Sequence, residues 1–266
     1  MKKKRITAAL LALGLSAVTI CSQLPVFAAE ETAQATDTAT QPQTADPSVV
    51  TTNGIDGWPQ ASDISSTAAI VMETSTNTVL YSKNADQALY PASAVKVMTC
   101  LVALENSSLD DQVTMTATGV SGVTDGGANI SSQLDEVFTM EQCLYAIMVA
   151  SANDIALQVA EHVGGSVDAF VQTMNARAQE LGCTNTVFTN PTGLPDENQH
   201  ITAHDMALIM EAAMANETFR TIAATTSYTL PATNVSGGER VLTNSFTMIN
   251  NASDGYYEPC IGGKEG

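Results

Sequence analysis

The middle of the chain carries a succession of helical patterns, and β-prone runs lie on either side of it. Between residues 97 and 181 apolar residues recur at helical intervals, with breaks at capping residues and glycines. Before this part, residues 68–72 and 78–81 are two β-prone runs joined by polar turn residues, which predicts a β-hairpin. After it, residues 227–230 and 240–242 are further strand candidates. The order of strands, then helices, then strands predicts an α+β fold.

Capping residues and glycines divide the helical part into separate helices. Ser166 and Thr202 are expected N-caps, because a hydroxyl oxygen can accept a hydrogen bond from a backbone N–H of the first turn. Gly164-Gly165 and Gly182 are expected helix ends. The helices are predicted between residues 93 and 106, 140 and 150, 155 and 163, and 167 and 181, with a further helix that starts at Thr202.

The N-terminal residues have the pattern of an export signal. Basic residues at positions 2–5 precede an apolar run at 6–20 that is short for a membrane span, and small residues follow at 28–29. We expect residues 1–29 to be a secretory signal peptide and the protein to be exported to the cell envelope; an uncleaved membrane anchor is the alternative. Residues 30–58 are polar and poor in aromatic side chains, which predicts a disordered linker. Residues 59–266 remain for a folded domain.

The charge balance excludes one class of partner. The chain has 10 Lys and Arg against 28 Asp and Glu, a formal net charge of −18 at pH 7, and four of the basic residues lie in the signal segment. An acidic surface repels phosphate backbones, so we expect no nucleic-acid partner.

Four cysteines follow the signal segment, and none belongs to a Cys-x-x-Cys pair, which argues against a zinc site. Their spacing does not define disulfide pairs. Two of them occupy apolar helical positions, where we expect buried free thiols. These two are Cys100 and Cys143, and the others are Cys183 and Cys260.

One basic residue lies in otherwise apolar surroundings, three positions after a serine. Residues 90–99 read YPASAVKVMT, so Lys96 follows Ser93 at a spacing that puts both on one face of a helix. A lysine amine in contact with a serine hydroxyl can activate it as a nucleophile. Desolvation by the apolar neighbours would lower the pKa of Lys96 toward the range that this role requires. Taken alone, the motif also fits an ordinary surface lysine.

Two further motifs follow in order. Ser151-Ala-Asn153 lies between two predicted helices, and Lys264-Glu-Gly266 lies at the end of the sequence, where a late strand is expected. Ser-x-x-Lys, Ser-x-Asn and Lys-x-Gly together are the residue set of the penicillin-interacting serine enzymes. Over about residues 62–266 the sequence resembles the D-alanyl-D-alanine carboxypeptidases, the low-molecular-mass penicillin-binding proteins. The blocks that carry this resemblance read YPASAVKVMT, SANDIALQVAE, FVQTMNARAQELG, TNPTGLPD and IGGKEG.

The resemblance implies a fold and an activity. The fold would be β-lactamase/transpeptidase-like, with an antiparallel sheet flanked by helices and an all-helical lobe. The activity would be the removal of the terminal D-alanine from peptidoglycan stem peptides ending in D-Ala-D-Ala, with β-lactam antibiotics as inhibitors and with neither metal nor cofactor. Ser93 would form the acyl-enzyme, Lys96 would accept its proton, and Ser151 would return a proton to the leaving amine. Asn153 would hold the substrate backbone, and Lys264 would bind the terminal carboxylate.

The sequence departs from the family pattern at its last motif. Glu265 stands where the family has a Thr that hydrogen-bonds the substrate carboxylate, and an ionised Glu would repel that group. The family's oxyanion hole combines the backbone N–H of the nucleophile, here Ser93, with one just after this motif, and two closing strands and a helix follow there. We therefore expect the sequence, which ends at Gly266, to be part of a longer protein whose C-terminal part could associate with the membrane.

Three alternatives fit parts of the pattern. A class A β-lactamase shares the three motifs but needs a Glu-x-x-Leu-Asn block for deacylation, and none lies between the second and third motifs. A zinc D,D-peptidase would need histidine and carboxylate ligands. His200 and His204 are the candidate pair, but a helix that starts at Thr202 would keep them off one face. A catalytically silent penicillin- or peptidoglycan-binding module is the alternative that Glu265 favours.

Overall fold

The computed structural model describes residues 64–123 and 127–266. The signal peptide and linker predicted for residues 1–58 lie outside these ranges, and so do positions 59–63 of the predicted domain. Within the ranges described, no helix is both long enough and apolar enough to cross a membrane.

Helices form most of the regular structure in the described ranges. The four helices predicted from apolar spacing and the fifth, predicted from the Thr202 cap, are all present, which confirms that part of the α+β assignment. Helices α2 and α7 were not predicted, because a helix of five or seven residues is too short for its periodicity to be recognised. In chain order the helices are α1 (Lys96–Asn106), α2 (Ala117–Ser121), α3 (Met140–Val149), α4 (Asn153–Gly164), α5 (Val167–Glu180), α6 (Ala203–Ala215) and α7 (Glu217–Ala223).

The capping residues expected from the sequence start and end these helices. Ser166 Oγ accepts from the backbone N–H of Ala169 at 3.1 Å, and Thr202 Oγ accepts from that of Asp205 at 3.0 Å. Each such cap contributes about 1 kcal/mol of stability. Gly165 ends α4 with a φ of +74°, a left-handed conformation that glycine adopts without a steric penalty.

Within residues 64–123 and 127–266 the strands form three antiparallel pairs. The predicted hairpin is β1 with β2, and its register shifts between Val71 and Met72. The strand candidates after the helices pair as β5 with β6. Strands β3 and β4 were not predicted, because three residues are too few for an alternating pattern. The strands are β1 (Ala69–Glu73), β2 (Thr78–Lys83), β3 (Gln112–Thr114), β4 (Val137–Thr139), β5 (Ser227–Leu230) and β6 (Arg240–Thr243).

Helix α1 is the central element of the core. Residues 96–103 of this helix are all buried, and α1 contacts α3, α4, α5, α6 and α7. A helix that is buried on all sides must be apolar on nearly all sides, and each large apolar side chain that it buries contributes about 1.5–3 kcal/mol. Lys96 and Thr99 are the polar members of this stretch. Their side chains therefore need hydrogen-bond partners inside the core.

The final segment differs from the prediction. Lys264 was expected on a late strand, but the structure assigns no strand to residues 261–266. A strand requires a neighbour with which it can form a ladder of hydrogen bonds, whereas here Gly263 N–H donates to Ala223 C=O, at the end of α7, at 3.4 Å. In the part of the chain that the structure describes, the expected antiparallel sheet is present as separate two-stranded pieces.

Candidate active site

Ser93 lies in a single turn of 3-10 helix that leads into α1. This turn spans Ala92–Val95, so Ser93 precedes the α-helix whose first turn was expected to contain it. Such turns are frequent at helix N-termini, where i to i+3 hydrogen bonds tighten the chain. Ala92 has a φ of +47°, a conformation that costs a non-glycine residue about 1–2 kcal/mol. Backbone strain of this kind is typical of functional sites.

Lys96, the first residue of α1, has a fully buried side chain with three hydrogen-bond partners. Its Nζ donates to Ser93 Oγ at 3.1 Å, to Asn153 Oδ1 at 2.6 Å and to the backbone carbonyl of Thr192 at 2.5 Å. Three acceptors match the three N–H bonds of an ammonium group. The structure thus brings the Ser-x-x-Lys and Ser-x-Asn motifs together around one amine.

The surroundings of Lys96 lower the pKa of its amine to about 7. Burial is the main cause, because an ammonium group removed from water loses its hydration. The positive charge of Lys264 lowers the pKa further, and Cys100 on the next turn of α1 acts in the opposite direction. The neutral amine is therefore populated near neutral pH, where it can accept a proton.

Ser151 and Asn153 lie at the junction of α3 and α4. Asn153 is the first residue of α4, and its backbone N–H donates to Ala128 C=O at 2.8 Å. Ser151 has a φ of +55°, and its Oγ is buried without a hydrogen-bond partner among the residues described. The hydroxyl is thus not one of the three partners of Lys96. Leaving it unpaired costs about 1–3 kcal/mol.

Lys264 reaches this site from the final segment. Its charge acts on the amine of Lys96, and its own pKa is lowered by burial. Lys264 Nζ donates to the backbone carbonyl of Glu265 at 2.6 Å, while the Glu265 side chain is exposed. Gly266 packs against the serine turn, since a Cβ at this position would lie 3.1 Å from the backbone nitrogen of Ser93. All five residues predicted for the site therefore lie in one region of the described structure.

The partner that sequence reasoning missed is the backbone carbonyl of Thr192. The block TNPTGLPD entered the sequence analysis only as part of the family resemblance, without a role in the site, and a carbonyl oxygen has no signature in the sequence. Gly193 carried the available signal. Its φ is +84°, and a Cβ at this position would collide with the carbonyl of Ala92. A glycine is therefore required for this loop to approach the serine turn.

An apolar cavity of about 300 Å³ lies beside the serine turn. Its walls come from residues 90–92 on one side and from residues 193–196 and Gln199 on the other. The serine turn therefore has two neighbours. The Ser93 side chain is hydrogen-bonded to Lys96, and the residues just before it, Tyr90, Pro91 and Ala92, line the apolar cavity.

The other residues considered for chemistry have separate partners. His200 Nδ1 lies 3.0 Å from the backbone carbonyl two residues before it, and His204 Nδ1 lies 3.7 Å from a carboxylate oxygen of Asp86. The four cysteines of the described ranges are free thiols that form no disulfide within those ranges. Cys100 and Cys143 are buried, as expected, and burial raises the pKa of the Cys100 thiol to about 12.

The arrangement has a definite chemical capacity. A serine hydroxyl 3.1 Å from a buried amine with a pKa of about 7 can lose its proton as it attacks a carbonyl carbon. The Asn153 amide oxygen contacts this amine, and a second serine, Ser151, lies two residues before Asn153 with a buried hydroxyl. A helical lobe that carries this set, followed in sequence by a Lys-x-Gly motif, defines the class of penicillin-interacting serine proteins.

The chain belongs to the D-alanyl-D-alanine carboxypeptidase family, whose model matches residues 56–256. It is 37% identical over 155 residues to the D-alanyl-D-alanine carboxypeptidase DacF of Bacillus subtilis, a match that covers 56% of this chain and 39% of DacF. It is 35% identical over 202 residues to DacB2 of Mycobacterium tuberculosis, which covers 74% of this chain and 64% of DacB2. The matched region thus spans about two fifths of the length of DacF and just under two thirds of the length of DacB2.

Solved structures show the same fold. The Streptomyces DD-transpeptidase superposes with a TM-score of 0.72 at 28% identity, covering 77% of this chain and 81% of that protein. The D-alanyl-D-alanine carboxypeptidase of Mycobacterium tuberculosis superposes with a TM-score of 0.70 at 32% identity, covering 79% of this chain and 75% of that protein. These comparisons confirm the family and the fold class expected from the motifs.

Proposed function

We propose that this protein is a serine-type D-Ala-D-Ala carboxypeptidase that removes the terminal D-alanine from peptidoglycan stem peptides and is acylated by penicillin. The observation that carries the proposal is the contact between Ser93 Oγ and the buried amine of Lys96, at 3.1 Å. An amine with a pKa of about 7 is close to the optimum for a general base at neutral pH. Family membership supports the choice of substrate.

In the acylation step Ser93 Oγ bonds to the carbonyl carbon between the two D-alanines, and its proton moves to the neutral amine of Lys96. The carbon–nitrogen bond to the terminal D-alanine then breaks. The leaving amine takes a proton from Lys96 through Ser151, whose hydroxyl is buried without a partner in the described residues. Water hydrolyses the resulting ester and restores the serine.

The remaining residues have binding roles in this proposal. Asn153 Oδ1 is occupied by Lys96, so its amide nitrogen is the atom that would donate to a substrate carbonyl. Lys264 provides the positive charge for the terminal carboxylate. The N-terminal pattern supports export, which would place the enzyme where peptidoglycan is exposed.

We expect the full-length protein to release D-alanine from a peptide ending in D-Ala-D-Ala, at a rate that rises with pH through about 7. The physical reason is that only the neutral amine of Lys96 accepts the serine proton, and its pKa is about 7. Each unit of pH below the midpoint should reduce acylation about tenfold. Initial rates of D-alanine release and of labelling by fluorescent penicillin measure the midpoint.

The variant Lys264→Gln tests the cause of this midpoint. Because Lys264 lowers the pKa of Lys96, its removal should move the midpoint of penicillin labelling to higher pH. Lys83→Gln is the matched control, since Lys83 is the last residue of β2 and its Nζ donates to Ile64 C=O instead. A labelling rate independent of pH in the parent protein would contradict the role of Lys96 as base.

A second candidate function is that of a penicillin-binding module with little carboxypeptidase activity, and Glu265 is the observation that favours it. Burial is the larger influence and lowers the pKa of Lys264, while the charge of Glu265 acts in the opposite direction. The carboxylate therefore already interacts with the cation that would bind the substrate. A substrate carboxylate would be repelled by the same charge.

We expect Glu265→Thr in the full-length protein to raise D-alanine release at pH 7 by about tenfold, the equivalent of about 1.4 kcal/mol. Glu265→Gln removes the charge without adding a hydroxyl, and so separates repulsion from the missing hydrogen bond. Glu258→Thr is the control for an exposed carboxylate in the same segment. If Glu265→Thr leaves the rate unchanged or lowers it from about pH 5 to 8, Glu265 does not obstruct the substrate.

A further inference from the structure

The loop at residues 190–194 is held against α1 by two successive carbonyl groups. Thr99 Oγ, buried on α1, donates to Pro191 C=O at 2.7 Å, and Lys96 Nζ donates to the next carbonyl, that of Thr192, at 2.5 Å. Thr99 lies one turn after Lys96 on the same helix. The two contacts fix both the position of the loop and the direction of the Thr192 carbonyl relative to α1.

Asn190 shapes the loop from within. Its Oδ1 accepts from the Thr192 backbone N–H at 3.1 Å, from the Thr192 hydroxyl at 2.8 Å and from the Gly193 N–H at 2.8 Å. Its Nδ2 donates to Leu194 C=O at 3.1 Å. A side chain that binds backbone groups on both sides of a turn replaces the regular hydrogen bonds that the turn lacks.

Gln199 braces the start of the same loop. Its side chain is buried, and its Oε1 accepts from the backbone N–H groups of Thr189 at 3.1 Å and Asn190 at 3.2 Å. The Thr192 carbonyl is therefore aimed at Lys96 by three polar side chains: Thr99, Asn190 and Gln199.

The direction of this carbonyl matters because of how a neutral amine forms hydrogen bonds. Neutral Lys96 has two N–H bonds and one lone pair. Thr192 C=O and Asn153 Oδ1 can only accept hydrogen bonds, so they take the two N–H bonds. Ser93 Oγ is the only one of the three partners that can also donate. The lone pair is thereby left facing the serine proton.

We propose that Asn190 is a positioning residue, which holds the Thr192 carbonyl on Lys96 so that the neutral amine turns its lone pair toward the Ser93 hydroxyl. The expected effect of Asn190 on the acylation rate rests on the proposed function. Its expected effect on the pKa of Lys96 depends only on the geometry of the loop.

The pKa of Lys96 also depends on the ionisable groups near it. Lys264 and Cys100 are the groups that act on its charge. Asp154 on α4 accepts a hydrogen bond from the Ser132 hydroxyl at 2.7 Å. Asp196, two residues after the loop, accepts from the backbone N–H of Asn198 at 2.8 Å. Withdrawing the Thr192 carbonyl removes an acceptor that stabilises the ammonium form, so the pKa of Lys96 should fall further.

The test compares Asn190→Ala with the parent in the full-length protein. We expect the maximal rate of labelling by fluorescent penicillin to fall about tenfold, which is the scale of one hydrogen bond in an oriented group. We also expect the midpoint of its pH profile to move to lower pH. An NMR titration of Lys96 measures the same change in pKa without any reaction.

Thr99→Val provides a second route if Asn190→Ala does not fold, because it removes only the hydroxyl that holds Pro191 C=O and keeps the shape of the side chain. Asn234→Ala is the matched control. Asn234 also braces a loop, accepting from Val137 N–H and donating to Asp135 C=O, each at 2.8 Å. We expect it to leave both the rate and the midpoint unchanged.

The outcomes separate this inference from the proposed function. A slower rate with an unmoved midpoint means that the loop is only structural, and an unchanged rate or a raised midpoint also overturns the inference. A parent protein that penicillin never labels overturns the proposed function instead. In that case the NMR titration still decides whether Asn190 sets the pKa of Lys96.

Discussion

Ser93→Ala is expected to abolish covalent labelling by penicillin in the full-length protein and to leave the fold intact. The hydroxyl is the only group at this position that can form the acyl bond. Its hydrogen bond to Lys96 at 3.1 Å is one of three, so the amine keeps two acceptors and the core around α1 is unchanged. Loss of labelling should therefore be complete, while the midpoint of thermal unfolding moves by only a few degrees.

Gel fluorescence after incubation with labelled penicillin, together with circular dichroism, measures both effects. Ser227→Ala is a suitable control, because its hydroxyl donates to Leu242 C=O at 3.0 Å between β5 and β6. Labelling that survives Ser93→Ala would refute the assignment of the nucleophile.

Lys96→Arg is expected to slow acylation by about a hundredfold or more, which is the usual scale for the loss of a general base. The guanidinium keeps the positive charge but does not lose its proton in a protein. The guanidinium is also planar with its N–H groups on three nitrogens, whereas the three partners of Lys96 surround a single nitrogen. Burial, which brings the pKa of the lysine to about 7, cannot produce a neutral base from arginine.

Single-turnover kinetics with labelled penicillin separate this effect from a loss of binding, because acylation at saturating concentration no longer depends on affinity. Lys83→Arg changes a half-buried lysine on β2 and should acylate at the parental rate. A Lys96→Arg protein that acylates at a similar rate would show that Lys96 is needed only for packing or charge.

Much of the fold was accessible from the sequence because its signals are local. Apolar spacing predicted helices α1, α3, α4 and α5, and the Thr202 cap predicted α6. The Ser166 hydroxyl marked the start of α5. The elements that were missed are three to seven residues long, so their periodicity is too short to recognise. The strand expected at Lys264 was wrong for a different reason, since strand formation depends on a partner elsewhere in the chain.

The sequence by itself determined which residues could carry the chemistry, because Ser-x-x-Lys, Ser-x-Asn and Lys-x-Gly are defined by residue type and order. Only the tertiary structure decided how they act on one another. The pKa of Lys96 depends on burial and on Lys264, 168 positions away in the chain. Its third partner is the backbone carbonyl of Thr192, a group that every residue possesses. The Thr192 carbonyl is the partner of Lys96 because the loop brings it there. Hydrogen bonding and desolvation depend on distances in space, which residue order does not specify.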